Sequence, residues 1–184
     1  MSETIPRLEM AQMQPDLAAY LRPRVERLHY LGELFKCAAN APNVILHFMH
    51  FTDALKQALP DRLTELGALS VASFMENRYE RHQHERLCVK LGFSRAWIEQ
   101  VNRLDPAAAT ELNDEEKAAQ TYALKALRTR GLDARTEFEA LAKLVTPAEA
   151  MAFVMLIGRY VTHAIAVNTL GLEPPVPSIF EEEQ

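Results

Sequence analysis

Cysteine is scarce in this chain of 184 residues: there are two, Cys37 and Cys88. So few thiols, fifty-one positions apart, exclude a disulfide scaffold, a CxxC redox pair and an all-cysteine zinc site, and they fit a reducing compartment such as the cytoplasm. Glycine is also sparse, with six residues, and none belongs to a phosphate-cradling loop or to a nucleophile elbow around serine. Positive charge is not in excess. Twenty basic residues against 25 acidic ones give a net charge of −5, the wrong balance for general nucleic-acid binding through counterion release. No apolar run reaches the ~20 residues that cross a bilayer, since the longest, Ala150–Gly158, stops at Arg159, with His163 just beyond. Met1–Met10 carries Glu3, Arg7 and Glu9 and lacks the apolar core of a signal peptide. The expectation is a cytoplasmic protein with neither nucleic acid nor membrane as partner.

What is present is apolar and helical. Apolar residues make up 48% and charged residues 24%, the balance of a globular domain with a substantial core. Strand-like alternation is almost absent, and apolar positions recur every three or four residues, so the fold class is all-α. The chain divides into an N-terminal arm over 1–22, one helical domain over 23–172 and an extended tail over 173–184. The arm, with Pro6 and Pro15, reads as loose or partly helical. Helices are predicted over 24–39, 44–59 and 61–75, the last preceded by Pro60, which suits a first helical position. Others are expected over 94–104, 113–129 and 134–145, with Ser94 and Asn113 as N-caps. Thr146-Pro147-Ala148-Glu149 is the clearest local signal, a capping box with proline inside the first turn. It opens a helix to Leu170 that is apolar nearly all round and should be buried in the domain or an oligomer interface.

Two groups of residues could carry chemistry. His47 and His50 lie three apart on one helix, a spacing able to hold a metal, but no carboxylate partner is evident and they read as half-exposed helix histidines. No metal site is expected. The polar run Glu76–Glu85 is different, because it follows directly on a strongly apolar helix. Within it Glu80 and His84 are four apart and share a helix face, whereas His82 points elsewhere.

Leu59-Pro60-Asp61-Arg62-Leu63-Thr64-Glu65, then Asn77-Arg78-Tyr79-Glu80-Arg81-His82-Gln83-His84, then Gly92-Phe93-Ser94 resemble the carboxymuconolactone decarboxylase family, which includes alkylhydroperoxidase D. Asn40-Ala41-Pro42 and Leu170-Gly171-Leu172 extend the resemblance to residues 25–175. The family motif has a glutamate, a cysteine twelve residues on, a cysteine or glutamate at fifteen and a histidine at nineteen. Glu65 and His84 match its ends. Asn77 stands at the first cysteine position and Glu80 at the second. The resemblance implies an alkylhydroperoxidase D-like helical bundle, a homo-oligomer (trimer or hexamer) and a small-molecule ligand.

Asparagine and glutamate cannot form a disulfide, so dithiol peroxidase chemistry is not expected at this position. Cys88, four residues beyond His84, and Cys37 both read as core cysteines. What remains is Glu65, Glu80 and His84 as candidate catalytic residues, with Asn77 and Tyr79 as candidate substrate contacts. Two carboxylates in one buried site should raise the pKa of one towards neutrality, while His84 is held cationic. Such a group suits cofactor-free acid/base chemistry on a small organic acid or lactone, as in the decarboxylase branch. Two other readings stand beside it: a peroxiredoxin-type antioxidant activity, as the family suggests, and a non-catalytic helical oligomer that binds a small ligand.

Overall fold

Apolar spacing at three and four residues becomes helix along most of residues 4–181, which the computed structural model describes. Nine α-helices and one 3-10 turn account for the regular structure, with no strand among the described residues. They fall into two compact units, one ending at Asp53 and one beginning at Ala54.

In the first unit a 3-10 turn, Met10–Gln12, precedes α1 (Pro15–Leu28), α2 (Glu33–Ala38) and most of α3 (Pro42–Ala58). Met13, Leu17, Leu21, Ala39, Ile45 and Met49 form its core. The expected single helix over 24–39 is two helices. His29 adopts the left-handed conformation with φ 62° and ends α1, and Gly32 then caps α2 in extended geometry. Pro23 lies inside α1, where it removes one backbone hydrogen bond and its ring crowds the carbonyl four residues back. The imidazoles of His47 and His50 are exposed on α3 and pack edge to face, 6.2 Å apart, with the Tyr20 ring against His50.

The second unit is organised around α4 (Asp61–Phe74), with α5 (Arg78–Lys90), α6 (Arg95–Asn102), α7 (Asp114–Thr129) and α9 (Pro147–Leu170) packed against it, and α8 (Arg135–Leu141) against α7. Ten consecutive residues of α4, Leu63–Ala72, are buried, so this helix is enclosed on all sides. Ser94, Asn113 and Thr146 cap α6, α7 and α9 as their side chains predict. Pro60 occupies the N-cap of α4 rather than its first turn, and α8 is shorter than the predicted 134–145.

The approach of α4 to α9 is set by Gly67. A Cβ there would lie 2.7 Å from Leu156 Cδ2 and 3.1 Å from Phe153 Cε2, and both neighbours are buried. Gly67→Ala is expected to lower stability by about 1–2 kcal/mol, since overpacking outweighs the better helix propensity. Urea unfolding of the variant beside the parent chain measures this.

Long enough in residues and composition to cross a membrane, α9 instead turns Phe153, Leu156, Ile157, Tyr160, Ala164 and Val167 into the bundle. Its burial is one-sided, however. Met151, Met155 and Ile165 are exposed, and with Gly158 and Thr162 they form a stripe at alternating four- and three-residue spacing.

After Leu172 the chain follows the surface without regular structure, as an extended segment should, but it is firmly docked. His82 Nδ1 faces the Val176 carbonyl at 3.2 Å, and Arg86 donates to the Pro177 carbonyl at 2.8 Å. The buried Glu85 carboxylate accepts from Ser178 Oγ at 2.5 Å and from Ile179 N at 3.3 Å. Residues 182–184 of the predicted tail lie outside the described residues.

Candidate active site

The turn between α4 and α5 is three residues long, and its chemistry is local. Glu76 adopts φ 54°, Asn77 N–H bonds back to the Ala72 carbonyl at 2.8 Å, and Asn77 Oδ1 accepts the Glu80 amide at 3.2 Å as the N-cap of α5. An N-cap side chain so used satisfies a backbone donor that the helix leaves open. The reversal sets α5 against α4, and the four-residue spacing of Glu80, His84 and Cys88 puts all three on one face.

Glu65 of α4 meets His84 of α5. His84 Nδ1–H donates to Glu65 Oε2 at 2.5 Å, and Cys88 Sγ donates to the same oxygen at 3.8 Å. His84 Nε2 lies 3.3 Å from Glu80 Oε1 and 3.3 Å from the Tyr160 hydroxyl. The sequence-predicted trio is therefore in direct contact, and every member is buried.

Three groups from α9 complete the cluster, and none was among the sequence candidates. Arg159 Nη1 donates to Glu80 Oε1 at 3.3 Å, and His163 Nε2 lies 3.3 Å from Glu80 Oε2. Tyr160 packs its ring edge to face with His84 and takes the Arg159 guanidinium at 4.2 Å. The signal was present in the sequence: ionisable residues four apart in an otherwise apolar helix need buried partners.

Asn77 and Tyr79 are buried, and each faces His163. Asn77 Nδ2 is 3.5 Å from His163 Nδ1. The Tyr79 ring lies 6.2 Å from that of His163. Both residues thus support the cluster from its far side.

The electrostatics differ from the sequence expectation in one respect. His84 is held cationic as expected: burial opposes its charge, but Glu65 and Glu80 raise its pKa to about 9. Glu80 is not raised. Burial pushes its carboxyl up, but the positive charges of His163, His84 and Arg159 outweigh this and hold it well below the ordinary carboxylate range. For Glu80 the difference comes from cations, Arg159 and His163 of α9 among them, that sequence reasoning had not placed beside it. Burial and the nearby carboxylates push the Cys88 thiol up, so it stays a protonated donor to Glu65, a poor nucleophile. Cys37 is buried in α2.

No family model and no curated protein matches the sequence. Solved structures do match, across most of the chain. A peroxidase-related protein from Ralstonia eutropha JMP134 with an alkylhydroperoxidase AhpD core is 18% identical, with a TM-score of 0.80 over 92% of this chain and 90% of its own. The debrominase Bmp8 superposes with a TM-score of 0.81 at 15% identity, covering 96% of this chain and 94% of its own. It has also been crystallised as a cysteine-to-alanine variant with 2,3,4-tribromopyrrole. A protein of unknown function from Agrobacterium tumefaciens, associated with AhpD and antioxidant defence, is 18% identical with a TM-score of 0.67 over 76% of this chain and 96% of its own. The fold is the AhpD-like all-helical fold.

Proposed function

We propose that this chain is a carboxymuconolactone decarboxylase-type member of the AhpD-like proteins, acting as an acid/base enzyme on a small organic acid or lactone without a redox cysteine pair. The observation that carries this reading is His84, clamped at Nδ1 by Glu65 and presenting Nε2 to Glu80 and the Tyr160 hydroxyl. An imidazole with a pKa of about 9 holds its proton at neutral pH, as a general acid must. Glu65 fixes the ring and stabilises its charge. His84 Nε2–H then donates, directly or through the Tyr160 hydroxyl, to carbon or oxygen where negative charge develops. In a decarboxylation the C–C bond to the carboxylate breaks, its electron pair passes to the adjacent conjugated system, and the proton from His84 replaces CO2. Water restores that proton.

An AhpD-type peroxidase needs a thiolate. Here Asn77 and Glu80 stand at the motif's cysteine positions, and the Cys88 thiol is pushed up by burial, which weighs against the antioxidant reading. The enclosure of the whole cluster within the helices favours the third reading, a ligand-binding oligomer without turnover, over the peroxidase. Homo-oligomerisation belongs with both surviving readings, and the exposed Met151–Met155–Ile165 stripe supports it.

Screening small carboxylic acids and lactones for turnover tests the proposal. Turnover is expected to fall at least about 100-fold in His84→Ala, the usual scale of a lost general acid. A substrate turned over equally by His84→Ala would remove the assignment. Hydroperoxide consumption should be negligible and unchanged by a Cys37→Ala/Cys88→Ala double substitution.

A further inference from the structure

The outer side of α9 carries a seam without a charged residue. Ala148, Met151, Met155, Gly158, Thr162 and Ile165 are all exposed, and they follow one another at alternating three- and four-residue steps, as the facing positions of a coiled coil do. Reversed, this seam complements itself. With two α9 helices antiparallel and a two-fold axis between Leu156 and Ile157, Gly158 faces Met155 of the other copy, Thr162 faces Met151 and Ala148 faces Ile165. Each layer then sets a large side chain against a small one, the arrangement that lets facing helices interdigitate. Moving the axis to Tyr160 sets Met155 against Ile165 and Gly158 against Thr162, which crowds one layer and empties the next. Gly158 is a second mark on this face. A Cβ there would meet nothing within 4 Å, so, unlike at Gly67, no contact inside the chain calls for glycine, and glycine weakens a helix interior. The bare backbone leaves the room that Met155 of an opposing helix needs.

We propose that a second copy of this chain docks on this seam, α9 against α9, as an antiparallel two-fold pair. A two-fold contact needs a surface that fits its own reversal, residue i on j and j on i, and the three pairs above meet that condition. A foreign helix would demand no such symmetry. The area suffices. Met151, Met155 and Ile165 are 55%, 49% and 55% exposed. With the smaller residues the seam offers roughly 500 Å² per copy, or about 1,000 Å² for the pair, the size at which specific interfaces begin. No charged side chain leaves water, and the antiparallel arrangement sets the positive end of each helix dipole beside the negative end of the other. The proposal rests on the homo-oligomer of the preceding reading, whatever chemistry the cluster performs, and gives it a symmetry: a dimer, or a hexamer of paired trimers, but not a lone trimer. The inner face of α9 supplies Arg159, Tyr160 and His163 to the cluster, so the second copy fastens that helix from outside.

Sedimentation equilibrium of the full-length chain, up to about 100 μM, tests the pairing. The expected mass is twice the chain's 20.8 kDa, or that of a hexamer. Met155→Glu and Gly158→Leu, both at exposed positions, should each weaken the two-fold contact at least about 30-fold, the scale of a lost central anchor, with the far-UV circular dichroism unchanged. Covalent trapping checks the register. Under mild oxidation the double variant Met151→Cys/Thr162→Cys should form a disulfide-linked dimer, because those positions meet across the axis, and the native Cys37 and Cys88 are buried. Neither single substitution should do so. The two copies of either residue lie about 16 Å apart along the helix pair, beyond the roughly 7 Å that a disulfide can bridge. The proposal is overturned by a monomer at the highest concentration, by a trimer, by an oligomer that neither Met155→Glu nor Gly158→Leu weakens, or by single-cysteine variants that trap as well as the double one. The acid/base reading fails separately: a chain that pairs in this way but turns over no acid or lactone keeps the seam and loses the enzyme.

Discussion

Between pH 6.5 and pH 9 the chain is expected to lose about 3 kcal/mol of folding stability through His84 alone. Its folded pKa, about 9, lies above its ordinary value of 6.5. The folded state therefore holds a proton that the unfolded chain has released over this interval. That stabilisation is complete below pH 6.5 and is lost progressively until the pH passes the folded value, at about 1.4 kcal/mol per unit. Cys88 and Tyr20, also raised by burial, begin to contribute only above their ordinary values of 9 and 10, outside this interval. Urea unfolding at half-unit pH steps should show the slope, and His84→Gln should remove it. An equal slope in that variant would mean that the proton resides elsewhere. Glu80 acts at the opposite limb. Its folded pKa lies below the ordinary 4.5, so its stabilisation is present above that value and is lost as the pH falls.

Arg159→Met is expected to cost about 3–5 kcal/mol, the range found when one partner of a buried ion pair is removed. Methionine keeps much of the length and apolar volume, so the loss reports the guanidinium. Its contact with the Glu80 carboxylate and its stacking on Tyr160 both go, while two imidazoles remain to hold the carboxylate. Adding Glu80→Gln should recover about 1–3 kcal/mol, because the stranded charge goes with it, and a double-mutant cycle from denaturation data measures this coupling. The single variant should also move the acid limb of the stability profile to higher pH, as Glu80 loses one of the cations that keep it ionised. A strictly additive double mutant with an unmoved acid limb would remove the electrostatic account of Arg159.

Local rules carried far along this chain. The Thr146 and Asn113 capping boxes set the starts of α9 and α7, and both follow from hydrogen bonds over three residues. The Glu65–His84 contact was legible for another reason, as its nineteen-residue spacing matched a known motif. The break at His29 was not legible, because a non-glycine residue in the left-handed region leaves little trace in apolar periodicity. Nor was the charge state of Glu80. That depends on Arg159 and His163, about eighty positions away along the chain, and no local pattern pairs them with it. Their burial called for partners, but only the packing of α9 against α4 and α5 identifies which.

The docking of Ser178 and Ile179 onto Glu85 bears on how the chain is made. Glu85 lies one residue beyond His84, buried, and two of the hydrogen bonds to its carboxylate come from residues 93 and 94 positions later. During synthesis α5 emerges long before those residues do. Until they arrive, Glu85 has only Asn102 and Arg81 of the partners seen in the finished fold, and the outer side of the helix that carries Glu80 and His84 lacks its fastening. The cluster should therefore reach its final geometry late, on a ribosome as in refolding.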